Sequence, residues 1–170
     1  MCCSFYVLFF LHLETRRVTL AGITQHPTEE WMLQMARRAV DDIDGSLLPI
    51  RFVLHDRDSK FCASFRDTLR SAEIQPLSLP AHGPNLNAFA ERWVGSIKTE
   101  CLSKLILFSE VSLRRAVTQF LEHYHLERPH QGKGNQLLFP SPVRSPSQNA
   151  GRIQCHERLG GLLKFYQRAA

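Results

Sequence analysis

The run Phe5-Tyr-Val-Leu-Phe-Phe-Leu-His-Leu13 constrains the fold more than any other stretch of the chain. It is aromatic, branched and apolar except for His12. Its length is far below the ~20 residues that cross a bilayer. With no basic residues before it and no small-residue cleavage site after it, it does not read as a targeting segment. It reads as a strand buried on both faces, hence central in a sheet. Glu14-Thr-Arg-Arg17 is a polar break of hairpin length, and Val18–Ile23 follows as a second strand, so the two are expected to pair antiparallel. A central strand needs a neighbour on each side. Only Met1-Cys-Cys-Ser4 precedes this one, so a partner strand is expected to be missing upstream.

Strands and helices then alternate. Pro27 and Thr28 open a helix with Glu29 and Glu30 in its first turn and an apolar stripe at Trp31, Met32, Met35, Ala36, Ala39, Val40 and Ile43. Asp41, Asp42 and Asp44 end it, with Gly45 as the stop; they read as a solvated helix end rather than a metal cluster. Ile50–Leu54 is a short strand that runs into His55-Asp56-Arg57-Asp58-Ser59-Lys60-Phe61. A carboxylate just past the C-terminal end of a strand stands where α/β sheets place ligands. A helix over about 63–72, a strand over Ile74–Leu79 and a loop over Pro80–Pro84 follow.

The next helix carries the apolar positions Leu86, Phe89, Ala90, Trp93, Val94, Ile97 and Cys101, spaced by three or four, with Asn85 or Asn87 as its cap. Glu91 lies at the edge of that face. Lys98 falls about 20° from it around the helix and about 10 Å along it. Taken alone, that acid and base read as a solvated surface pair. Ser109 caps a last helix with the stripe Leu113, Ala116, Val117, Phe120, Leu121 and Tyr124. His123, His125, His130 and Glu122 cluster in sequence, but none of the pairs has the spacing of a familiar zinc site. Ser141–Gly151 reads as a linker, and 152–157 with 162–166, split by Gly160-Gly161, as a basic hairpin.

Bulk composition narrows the class. At 170 residues and 44% hydrophobic content, one domain with an appendage is expected: a core over 1–140, a linker over 141–151 and a tail over 152–170. The net charge of +5 favours a polyanionic partner, weakly. Five cysteines without a CxxC pair read as reduced thiols in a cytoplasmic protein, three of them as packing residues, with no membrane partner.

Three stretches together resemble the catalytic core of the DDE transposases and retroviral-type integrases. His55-Asp-Arg-Asp-Ser-Lys-Phe61 is similar to the family's TDNGxEF-type segment, and closer to the RDRDxKF form of bacterial insertion-sequence integrases. Asn87-Ala-Phe-Ala-Glu-Arg-Trp-Val-Gly-Ser-Ile-Lys-Thr-Glu-Cys101 resembles NAxAERxxxxxKxEC, and Tyr124-His-Leu-Glu-Arg-Pro-His-Gln-Gly132 resembles YxxxRPHQ. The likeness runs over about 5–140, and more loosely into Leu159–Arg168.

The resemblance implies an α/β, ribonuclease H-like three-layer fold: a mixed central sheet flanked by helices, here without its first strand, and a small basic β tail. It implies metal-dependent phosphodiester cleavage and strand transfer on DNA, at element ends and target. Two Mg²⁺ ions (or Mn²⁺) ~3.5–4 Å apart would serve nucleophile and leaving group, held by hard carboxylate oxygens. Asp56 and Glu91 match the second and third of the family's three acids, and Lys98 its DNA-phosphate lysine. Arg57 and Lys60 would add phosphate contacts, with a plain surface role as the rival reading.

The first acid has no counterpart, since no Asp or Glu precedes Glu14. The expectation is a truncated core with impaired metal binding, inactive alone, whose open strand edge favours homo-oligomers or association with a full-length transposase. Two other readings stand beside it. One is a non-catalytic fragment that binds DNA through its basic surface or associates with a transposase; the other is a nuclease using Asp58 as substitute ligand.

Overall fold

The computed structural model describes residues 4–41, 45–47, 50–80, 87–140 and 152–168. The chain forms two compact units, Met1–Leu11 with Val18–Glu91, and His12–Arg17 with Arg92–Ala170.

In the first unit β1 (Tyr6–Leu11) and β2 (Val18–Thr24) pair antiparallel, with a register shift at Leu8/Phe9. The hairpin read from the sequence is thus present. Helix α1 (Glu29–Ala39) forms where its signals stand: the Thr28 side chain accepts from the Trp31 N–H at 3.2 Å, and Glu29 and Glu30 occupy the first turn. It seats closely on β2 because Gly22 has no side chain. A Cβ there would lie 2.5 Å from Met35 Sδ and 2.8 Å from the Trp31 ring.

Strands β3 (Phe52–His55) and β4 (Gln75–Ser78) pair in parallel, and α2 (Ala63–Ser71) is the crossover that a parallel pair requires. The core gathers Met32, Ala36, Ala39, Leu47, Val53, Phe65, Leu69 and Ile74, with Leu8 and Phe10 packed against it.

Two expectations fail here. No residue of β1 is fully buried, and Tyr6 is 44% exposed, so the strand is not buried on both faces. The mixed central sheet is also not formed among the described residues. β1–β2 and β3–β4 are separate two-stranded ladders. The β3–β4 ladder leaves apolar side chains in solvent, Phe52 and Leu54 on β3 and Leu77 on β4. Apolar content says that a run can be central; strand pairing decides whether it is.

Helix α3 (Ala88–Glu100) starts at the end of the first unit and continues in the second, where Trp93 and Ile97 are buried. Helix α4 (Glu110–Leu126) opens on a capping box between Ser109 and Ser112 and buries Leu113, Ala116, Val117, Phe120 and Tyr124. The hairpin of β5 (Ile153–Arg158) and β6 (Leu163–Arg168) turns through Leu159, Gly160 and Gly161, all at positive φ. Arg158 ties it to the end of α4. Its guanidinium donates to Glu127 Oε1 at 2.9 and 2.6 Å and pairs with Glu122, while Leu159 N donates to Gln119 at 3.2 Å.

Of the three described cysteines, Cys101 is fully buried, with burial pushing its thiol up to about 11. Cys62 is half-buried against the first core, whereas Cys155 is exposed and does not pack. Asn85 and Leu86, the loop residues 81–84, Asp42, Ile43 and Asp44, and the linker 141–151 lie outside the described residues.

Candidate active site

Asp56 directly follows β3, at the C-terminal end of the parallel pair, and is exposed. The loop after it is stitched by its own polar groups. Asp58 N donates to Asp56 Oδ1 at 3.0 Å, and the His55 ring N–H donates to the Asp56 carbonyl at 2.6 Å. Beneath, the Phe61 ring stands 4.9 Å from His55 and 5.5 Å from Phe65. The loop thus hangs on the core by one aromatic column while Asp56 faces solvent. Glu91 lies in the first turn of α3, exposed and in the same compact unit as Asp56. A helix start favours an ionised carboxylate.

The neighbours of Asp56 are engaged. Both Asp58 carboxylate oxygens accept from Lys60 Nζ, at 3.0 and 2.9 Å, and Oδ1 also accepts from Lys60 N. The Lys60 side-chain hydrogen bond is the largest cause holding the Asp58 carboxyl below its usual range. Asp58 therefore serves the turn, which argues against its use as a substitute ligand. Lys60 also stands 5.0 Å from the Tyr6 ring, and Arg57 Nε donates to the Leu79 carbonyl at 3.0 Å. Lys98 is exposed near the far end of α3.

The histidines of the second unit are packing groups. His123 Nδ1 lies 3.0 Å from Glu127 Oε2, His130 Nε2 lies 2.7 Å from the Tyr124 carbonyl, and the His125 ring stands edge-on to Phe139 at 5.5 Å. Burial, then the charge of Arg17 and the neighbouring His130, pushes His125 down to about 4.

Asp56 and Glu91 offer the hard oxygens that Mg²⁺ prefers. Among the described residues, however, no three His, Cys, Asp or Glu side chains gather where one ion would sit. The donor chemistry fits a divalent cation, and the number of donors falls short. The sequence reading left one pair unassigned: Arg128, in the RPHQ stretch, engages both carboxylate oxygens of Glu100 at 3.0 and 2.6 Å.

The structure thus gives an α/β domain with one exposed acid directly past a parallel strand and a second in the first turn of a helix. Residues 72–136 match the family model described as an integrase core domain, a span that holds Glu91, Lys98 and the RPHQ stretch. Among solved structures the chain is similar to one from a simian T-cell lymphotropic virus intasome in complex with PP2A regulatory subunit B56 gamma. The TM-score is 0.54 at 14% identity, over 97% of this chain and 65% of that one. No curated protein matches the sequence. The family-model match covers less than half of the chain, and the likeness to the intasome structure is one of fold. Among the described residues, no helix is long and apolar enough to cross a membrane.

Proposed function

We propose that this chain carries an integrase-type core that acts on DNA, in which Asp56 and Glu91 are the second and third carboxylates of a two-metal site. One observation carries the reading: an exposed acid at the C-terminal end of a parallel strand and an exposed acid in the first turn of a helix, in one compact unit. The matched family model holds the second of them. When bound, divalent metal would supply Lewis acidity to an in-line attack by water or a DNA 3′-hydroxyl on a phosphodiester. Asp56 and Glu91 would hold it. Lys98, on the Glu91 stripe of α3, steadies a DNA phosphate, and the guanidinium of Arg57 and the ammonium of Lys60 add charge beside Asp56.

The strand β1 carries no carboxylate, and the acid set is one short. With two acids in place of three, this chain alone is expected to be inactive in strand transfer. DNA ends and target are the substrates, and further copies of the chain or a full-length transposase are its partners.

Incubation with Mg²⁺ or Mn²⁺ and labelled duplex DNA tests this. The expected result is no cutting or joining by this chain alone. Appreciable metal-dependent cutting would refute the incomplete set, and its loss in Asp58→Asn would favour the nuclease reading.

A further inference from the structure

The β5–β6 hairpin of the second unit uses one of its faces and leaves the other in solvent. In an antiparallel pair, residues opposite each other share a face. The register sets Cys155 opposite Tyr166 and Glu157 opposite Lys164 on one side, with Ile153 two residues further along it. His156 opposite Phe165 and Arg158 opposite Leu163 lie on the other side. That second set is engaged. Leu163 is buried, the His156 ring stacks on Phe165 at 4.8 Å, and Arg158 reaches Glu122 on α4 and Glu127 just past it.

The first set meets water. Ile153 is 60% and Tyr166 66% exposed, and Cys155 between them in the pattern is exposed as well. Glu157 and Lys164 form a half-exposed ion pair at 2.9 Å. Single exposed apolar residues are ordinary, but these three stand together on one face. A two-stranded hairpin also has little stability of its own and relies on what packs against its faces. Helix α4 fastens the inner face; the outer face pairs an apolar end with one acid on β5 and one base on β6 at the same level.

We propose that this outer face docks on the same face of a second copy of the chain, as a two-fold, face-to-face pair of hairpins. Charge complementarity selects that partner. A two-fold axis along the strands, between the two faces, lays β5 of one copy over β6 of the other with each level kept. Each Glu157 then faces the other copy's Lys164, and each Cys155 meets a Tyr166 ring, a favourable sulfur–aromatic contact. The size of the face sets the strength. Two strands of six residues span roughly 20 Å by 10 Å. That is well below the ~800 Å² per partner of a standard stable interface, so the association is weak and concentration-dependent. It needs neither metal nor DNA. It rests on the proposed function only in taking a further copy as partner, and adds the surface on which that copy binds.

The test is sedimentation equilibrium of the full chain in EDTA and a reducing agent, from about 5 to about 500 μM, with a monomer–dimer midpoint expected inside that range. Tyr166→Thr and Ile153→Thr place a β-branched residue that suits a strand, and each should weaken the dimer at least about tenfold. Lys164→Glu should weaken it too, by setting acid against acid, and adding Glu157→Lys should restore the parent value. Val111→Thr removes a 77% exposed apolar group from the first turns of α4 and should leave the association unchanged.

A chain that stays monomeric throughout overturns the proposal together with further copies as partners. A dimer that persists unchanged in the folded Tyr166→Thr and Ile153→Thr proteins overturns the surface alone and leaves the partner standing. The surface also falls if Val111→Thr weakens the dimer equally, or if the folded charge-swapped protein does not recover. Because metal and DNA are absent throughout, none of these results bears on the Asp56 and Glu91 reading.

Discussion

Glu127 and Asp56 both follow directly on a secondary-structure element, and the two units treat them in opposite ways. Glu127, at the end of α4 in the second unit, is a closed position. Its side chain is 6% exposed, Arg158 and His123 both reach it, and Arg158 thereby fastens the β5–β6 hairpin. Burial alone would raise its pKa; the Arg158 and His123 hydrogen bonds outweigh that and lower it. Asp56, after β3 in the first unit, faces solvent, and the cation nearest in sequence is drawn elsewhere: Arg57 spends its Nε on the Leu79 carbonyl. A carboxylate saturated by cations holds a fold together. One left to solvent at a strand end costs the fold little and remains available to a ligand.

The contrast can be broken at several depths. The largest effects belong to the two cores. Phe65 and Phe120 are each fully buried, one in each unit, and truncation to alanine should cost about 3–5 kcal/mol. Thermal unfolding followed by probes in each unit should show Phe65→Ala destabilising the first and Phe120→Ala the second. Equal loss at both probes would show that the units unfold as one.

Next is the clamp. Arg158→Ala leaves Glu127 without its main partner. The full penalty for such a buried orphan is discounted here because the Arg158 side chain is 26% exposed, which leaves about 2 kcal/mol. Chemical denaturation measures it, and a change under about 0.5 kcal/mol would mean that the hairpin is held by other contacts.

Acid weakens the second unit through His125 and Glu127, and through His130, whose pKa burial also lowers. His125 titrates near 4 when folded, against about 6.5 when unfolded, so between those values the unfolded chain binds the extra proton and stability falls as pH drops. Between pH 7 and 5 this amounts to on the order of 1 kcal/mol after allowance for partial exposure, and His125→Gln should flatten it. Glu127, with its depressed pKa, adds stability that is present above the ordinary carboxylate range and lost only as pH falls below it through the folded value. A melting temperature that is level from pH 7 to 5 would contradict the half-buried, neutral His125.

The smallest effect is expected at the site itself. Asp56→Asn and Glu91→Gln should each change stability by no more than about 0.5 kcal/mol, as exposed substitutions do. A loss above that for either would mean the acid serves the fold.

What could be read from the sequence followed how local the signal was. The Thr28 cap, the Ser109 cap and the Gly160-Gly161 turn are written within a few residues, and each element formed where they stand. The β1–β2 hairpin was equally legible, because a short polar break between apolar runs leaves few alternatives. The burial of β1 was not, since it depends on strand edges far away in the chain, and the mixed sheet failed for the same reason. Asp56 stood out because its place after an apolar run is a sequence fact. The Arg128–Glu100 pair did not, because residues 100 and 128 meet only after folding.

The central claim is that Asp56 and Glu91 belong to one metal site. It is tested most directly by titrating Mn²⁺ into the isotopically labelled chain and following amide line broadening. Residues 56–58 and 88–92 should broaden together at the same Mn²⁺ concentration, and either Asp56→Asn or Glu91→Gln should abolish broadening in both segments. Broadening of one segment alone, or two segments that respond independently to the two variants, would show that these acids do not share a metal.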